Sequence, residues 1–306
     1  MTFNGLLSIK HLPAITLLLT LVACKTTPSI LGGSPLQAPP GTVEIAPNLF
    51  FDRTEITNLD YREFMYWTKQ VYGGNSEEAR KVQPDTTVWS ELEGHFEPFA
   101  SRYFTHPAYN HYPVAGVSYE QAQAYSGWRS DRVMQMYLIE SGKIEAHFDK
   151  SPETAFTIER YFTGQYRDYK PDPEVVLYPH YSLPDAETYR KVVSFADSLN
   201  TVNYSKCHEK NCSENHLIAC GEDGPSQNSF LPKLTNCANC KGILITHLQD
   251  NVREIMAEPR MLFGGSYGSS CSTESVKLIQ VSPDAYTGFR NRCTYKRWEG
   301  GSTPFN

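Results

Sequence analysis

Between residue 43 and the C-terminus at residue 306, only three stretches carry a helical period, and the long proline- and tyrosine-containing segments between them show no clean period of 2 or 3.6. Segments of that length are uncommon in a compact body unless they are tied down or functional. The chain is therefore expected to fold as a loop-rich body packed by aromatic side chains. Nineteen tyrosines and fifteen phenylalanines against six methionines fit that packing, and the tyrosines also supply contact area at interfaces. No internal repeat is present.

The three helices announce themselves by their ends. After a short strand at VEIA from Val43, Thr57 is placed to cap a helix whose apolar face runs through Tyr61, Phe64, Met65 and Thr68 and stops at Gly73-Gly74. Ser118 with Gln121 three residues later forms a capping box, and Ala122, Tyr125, Arg129 and Val133 carry that helix to about Leu138 before Gly142. A third helix begins in LPDAETYRKVV, residues 183–193, with Pro184 in the first turn and Asp185 and Glu187 favourable to the helix dipole.

The N-terminus speaks to compartment. Residues 14–23, AITLLLTLVA, have the length of a signal-peptide apolar core and are too short to span a bilayer. They end in LVAC, residues 21–24, the pattern of a bacterial lipoprotein box. Residues 1–23 are then expected as a signal peptide and Cys24 as the lipid attachment site. Residues 24–42, rich in Pro, Gly and Ser, read as a tether extended at about 3 Å per residue where prolines dominate. The domain is expected over residues 43–306, with 40% hydrophobic residues in the chain to build its core. A net charge of −6 without a basic run argues against a nucleic-acid partner, which would need clustered Lys and Arg to neutralise phosphates.

Five cysteines (Cys207, Cys212, Cys220, Cys237 and Cys240) crowd an insert at about residues 205–241. With His208 and His216 nearby they could close a tetrahedral zinc site, or they could staple the loop by disulfides as an exported protein favours. Cys271 and Cys293 complete the disulfide candidates, with Cys293 the nearest partner for Cys271 beyond its loop. No nucleophile elbow, phosphate loop or H-E-x-x-H motif occurs. The histidines lie scattered among aromatics, and the paired carboxylates Glu77-Glu78 and Glu91/Glu93 read as solvated faces.

Six blocks stand in a fixed order: DRTEITNLDYREF (52–64), YPVAGVSYEQAQAYSGW (112–128), YSLPDAETY (181–189), DNVRE (250–254), FGGSY (263–267) and GFR (288–290). Together they resemble the formylglycine-generating-enzyme, or sulfatase-modifying factor, family across roughly residues 43–292. Further detail in PDTTVW (84–89), HPAYNHYPV (106–114), WRSDRV (128–133) and RYFTGQY (160–166) is similar to gliding-motility lipoproteins associated with type IX secretion, of the J and K type. The resemblance implies an α+β single domain, distantly C-type-lectin-like and poor in regular structure, acting as a structural part of an envelope machine.

Enzymes of that family bind copper through a cysteine pair just after the Gly-Gly-Ser turn. The corresponding places here hold Ser269 and Glu274, neither of them a soft ligand for Cu(I), so copper is not expected. The family's GNVWEW turn binds calcium in several members, and the resemblance implies Asp250, Val252 and Glu254 as its ligands here, although helix entry would explain Asn251 and Glu254 as well. The resulting expectation is a non-catalytic, lipid-anchored scaffold, with an oxidase acting on protein cysteine and a zinc-binding envelope module as alternatives. Its partners would be outer-membrane lipid through Cys24 and other proteins of a motility or secretion complex. Lys25 after the lipidated cysteine leaves out the aspartate that retains lipoproteins in the inner membrane, and residues 26–34 carry no acidic export signal. The expected location is the periplasmic face of the outer membrane.

Overall fold

The computed structural model describes residues 36–92, 97–203, 245–269, 272, 274–277 and 282–300. Eight strands are present among them: β1 (Thr42–Ala46), β2 (Leu49–Asp52), β3 (Leu177–Ser182), β4 (Arg253–Ile255), β5 (Met261–Phe263), β6 (Ser275–Lys277), β7 (Thr287–Gly288) and β8 (Arg292–Arg297). They form two four-stranded sheets, ordered β1-β2-β8-β3 and β6-β5-β4-β7. The first is antiparallel throughout, and in the second β4 and β7 run parallel. Six α-helices accompany them: α1 (Asn58–Tyr72), α2 (Glu77–Lys81), α3 (Glu97–Arg102), α4 (Tyr119–Glu140), α5 (Ile158–Phe162) and α6 (Ala186–Asn203). The fold is α+β, with long irregular connections. No helix among the described residues is long and apolar enough to cross a membrane.

Local chemistry sets the helix ends. Thr57 Oγ1 accepts from the Asp60 amide at 3.1 Å while the Asp60 carboxylate accepts from the Thr57 amide at 3.0 Å, closing a reciprocal cap at the start of α1. At its far end Gly73, with φ of +96°, leaves the helix in a conformation that side chains disfavour. Ser118 and Gln121 repeat the capping box for α4. At α6 the expectation needs a correction. Asp185 is the cap, its Oδ1 accepting from the Thr188 amide at 2.8 Å, so Pro184 precedes the helix and its carbonyl accepts from Ala257 instead. Glu77 and Glu78, expected as a solvated face, open the short α2, where Glu77 pairs with Lys81 on the surface.

Aromatic packing joins these elements. Tyr61, Phe64 and Met65 of α1 meet Tyr125 of α4, with the Tyr61 and Tyr125 rings stacked 5.9 Å apart. The other half of α4 packs Val133, Met134, Tyr137 and Leu138 on Phe50, Tyr181 and Tyr295 of the first sheet. Ser130 Oγ accepts from the Tyr181 amide at 2.9 Å, so α4 also covers the outer edge of β3. Residues 36–41, the end of the segment whose composition reads as a tether, lie against this same region. Leu36 packs on the Phe50–Tyr295 cluster and Pro39 is buried.

Candidate functional site

The ordered sequence blocks converge on one buried polar centre. Glu55 leads into α1, Asn251 and Glu254 lie at the turn and strand of β4, Tyr189 projects from α6, and Arg290 follows β7. Glu55 and Arg290 are 0% exposed and Glu254 is 1% exposed. Arg290 donates from Nε to Glu254 Oε1 at 2.6 Å, from Nη2 to the carbonyls of Thr246 and His247 at 3.0 and 3.1 Å, and from Nη1 to the Asp52 carbonyl at 3.3 Å. One guanidinium thus binds β2, β4 and the turn before β4 together, a use of its fixed fork of donors that lysine could not reproduce. The Tyr189 hydroxyl donates to Glu254 Oε2 at 2.6 Å, and Asn251 Nδ2 donates to Glu55 Oε1 at 2.9 Å. Glu55 Oε2 stands 3.9 Å from Arg290 and has no hydrogen-bond partner among the described residues.

A second pair extends the centre. Asp52 Oδ2 accepts from Arg129 Nη1 and from the Asn291 amide, each at 2.7 Å, and Arg129 lies over the Tyr181 ring at 4.2 Å. Three buried carboxylates therefore face two arginines. Burial raises the pKa of Asp52, Glu55 and Glu254 against the pull of those arginines, and Glu254 reaches about 7. Burial alone would lower Arg290, but Glu254 and Glu55 outweigh it and hold the guanidinium charged.

The expected calcium ligands Asp250, Val252 and Glu254 lie at this centre and on the turn that leads into it. Both Glu254 oxygens are engaged by Arg290 and Tyr189, Asp250 Oδ1 lies 2.9 Å from His247 Nδ1, and the Val252 side chain packs in the Trp89–Tyr267 cluster. A hard cation needs several converging oxygens, and here the key carboxylate is already neutralised by a guanidinium. Among the described residues no group of three or more His, Cys, Asp or Glu could hold a metal. The turn itself is tight: His247 and Asn251 both adopt positive φ, at 53° and 70°. Asparagine tolerates that region better than most residues.

Ser269 and Glu274 lie on the glycine turn. Gly265 and Tyr267 donate to the carbonyls of Gln249 and Asn251 at 2.9 and 2.8 Å, which fastens this turn to the one before β4. Ser269 Oγ accepts from the Ser266 amide at 2.9 Å and lies 3.1 Å from Ser266 Oγ. Glu274 is exposed, and its carbonyl accepts from Gly264 at 3.2 Å. Ser269 therefore closes the turn upon itself.

Among the cysteines, Cys293 is a free thiol at 0% exposure in the core beside Phe50 and Tyr181. The expected disulfide at Cys293 is corrected accordingly, because β8 turns this side chain into the sheet's packed face. Burial also raises its pKa well above the usual thiol range. Cys24, Cys207, Cys212, Cys220, Cys237, Cys240 and Cys271 lie outside the described residues.

Sequence reasoning missed Glu55, Arg290, Tyr189 and Asp52 as a unit. Each sits inside a quoted block, so the recurrence of isolated polar residues within apolar motifs was the available signal.

A family model described as "Sulfatase-modifying factor enzyme 1-like domain" matches residues 22–196. No curated protein matches this sequence. A solved structure titled "Crystal Structure of CarF" is similar at 16% identity over 80% of this chain and 86% of that chain, with a TM-score of 0.36. The family match takes in α1, α4 and most of α6, more than half of the 306 residues, and the chain belongs to the sulfatase-modifying factor enzyme 1-like domain family.

Proposed function

We propose that this chain is a non-catalytic member of its family, a lipid-anchored scaffold of the cell envelope that works in a gliding-motility or type IX secretion complex. The observation that carries the non-catalytic reading is the donor set on the glycine turn. Where the family resemblance places a copper-binding thiol pair, the chain holds Ser269, hydrogen bonded within its own turn, and the exposed Glu274. Neither stabilises Cu(I). The polar residues of the motif blocks support the same reading, because Glu55, Glu254 and Arg290 are spent on one another in the interior and present nothing to a substrate.

The lipoprotein box at residues 21–24 supports the anchor, and Lys25 with the uncharged stretch after it supports the periplasmic face of the outer membrane. Copper-dependent oxygen consumption with a cysteine-containing peptide tests the central claim. No turnover above the metal blank is expected, and turnover abolished by Cys271→Ser would overturn it. Crosslinking in intact envelope followed by affinity capture tests the scaffold role, and recovery of no motility or secretion component would remove that part of the proposal. Intact-cell proteinase treatment tests the face: the folded body is expected to survive until the outer membrane is permeabilised.

A further inference from the structure

We propose that residues 36–41 are a clamp that fixes where the N-terminal tether leaves the body, and so turns one side of the domain toward a lipid surface. This inference rests on the reading of Cys24 as the lipid-bearing residue. Composition alone makes LQAPPG part of a loose linker, yet each end of the segment is held. Leu36 packs on the aromatic cluster of Phe50 and Tyr295, and the Tyr295 hydroxyl donates to the Gln37 carbonyl at 3.1 Å. The Pro40 carbonyl accepts from Arg129 Nη2 at 3.0 Å and from the Tyr181 hydroxyl at 3.4 Å. The Gly41 carbonyl accepts from the Arg53 amide at 3.0 Å. These donors stand on α4, β3, β8 and the end of β2, so the clamp is tied to the rigid sheet and its covering helix. Arg129 makes the coupling tight, since the same guanidinium pairs with buried Asp52.

The consequence is geometric. Twelve residue steps separate Cys24 from Leu36. They reach at most about 40 Å even when fully extended. The roughly 210 described residues make a compact body with a radius of about 22 Å, so passage from one side to the opposite side along its surface is about 70 Å. The tether cannot make that passage. The side that carries Leu36 is therefore the side that meets the bilayer, and the opposite side stays beyond its reach.

The test uses the lipidated full chain in vesicles of phosphatidylethanolamine and phosphatidylglycerol carrying a headgroup energy-transfer acceptor. A donor dye on a noncanonical amino acid replaces Pro47 or, in a separate protein, Glu91, both exposed. Pro47 adjoins Asn48, which donates to the Tyr295 carbonyl at 3.0 Å, whereas Glu91 lies near the Trp89 cluster, which shares no residue with the clamp-side cluster. Transfer from position 47 is expected to exceed that from position 91 several-fold. Leu36→Ala with Tyr295→Phe, which leaves the Arg129–Asp52 pair in place, is expected to lower transfer at 47 and speed rotation of the bound body in time-resolved anisotropy. Vesicle flotation with equal transfer at both positions, or no response to the double variant, would overturn the clamp while leaving the anchor intact. Failure to float, with Cys24→Ser indistinguishable from the parent, would overturn the anchor and the clamp with it.

Discussion

Replacing Arg290 by methionine tests whether the motif residues hold the fold together. The guanidinium is fully buried and serves Glu254 and three backbone carbonyls, on Asp52, Thr246 and His247. Methionine approximates its volume and removes every donor. Removing one partner of a buried ion pair costs about 3–5 kcal/mol, because the remaining charge is left uncompensated. For a domain of this size each kcal/mol lowers Tm by about 2–4 °C, so a drop of about 6–20 °C is expected. Arg290→Lys should lie nearer to methionine than to the parent, since a point charge cannot serve acceptors on three segments at once. Adding Glu254→Gln to the methionine variant should recover part of the loss, and more of it as pH rises above about 7, as one of the two carboxylates that faced Arg290 is then gone. Scanning calorimetry and urea unfolding followed by circular dichroism measure all four proteins. A loss below about 1 kcal/mol for the methionine variant would refute the reasoning, for it would mean that the buried centre contributes no more than a surface pair.

Other consequences are equally accessible. Gly116, at φ +74°, has its missing Cβ position 2.2 Å from the Asp85 carbonyl oxygen, whereas Gly73, at φ +96°, has nothing within 4 Å. Gly116→Ala should therefore cost well over the roughly 1–2 kcal/mol of left-handed strain that Gly73→Ala incurs, and comparable Tm values for the two would contradict that. Asp131 has its pKa raised to about 6, by burial first and by Asp149, against the lowering pull of Arg132, the Ile158 amide and Arg160. Its folded-state affinity for a proton is the higher one, so its contribution to stability is full below the unfolded value near 3.8 and is lost as pH rises through about 6. Between pH 7.5 and 5 the parent should gain about 1.4 kcal/mol from this group. Asp131→Asn, whose amide oxygen can still accept from Ile158, should gain nothing from it, and parallel stability profiles would sink the assignment. Cys293 should resist thiol reagents in the native protein and react only on unfolding, as read by peptide mapping. Recovery of a disulfide-linked Cys271–Cys293 peptide would overturn the free-thiol assignment.

How much of this was legible depends on how far each residue's partner lies along the chain. The caps of α1 and α4 could be read directly, because Thr57 with Asp60 and Ser118 with Gln121 satisfy each other within one turn. Strands β4 and β7 could not, having three and two residues and pairing Arg253 with Thr287 across a long interval that leaves no periodic trace. The proline-rich segment before β1 read as free because its composition is that of a linker. Its docking is decided by Arg129, Tyr181 and Tyr295, none of them local.

The charge partner of Glu254 was illegible for the same reason. A carboxylate in a turn resembles a ligand until its counter-charge is located, and for Glu254 that is Arg290 at the opposite side of a parallel strand pair. Several of the ordered blocks thus supply residues that neutralise and close the interior: Asp52 and Glu55 from the first, Tyr189 and Glu254 from the middle ones, and Arg290 from the last. Ser269 and Glu274, on the loop after the Gly264–Ser266 turn, stand outside the hydrogen bonds that Arg290 makes. Motif blocks that supply buried charge pairs speak to architecture, and an activity has to be argued from the chemistry of the site itself.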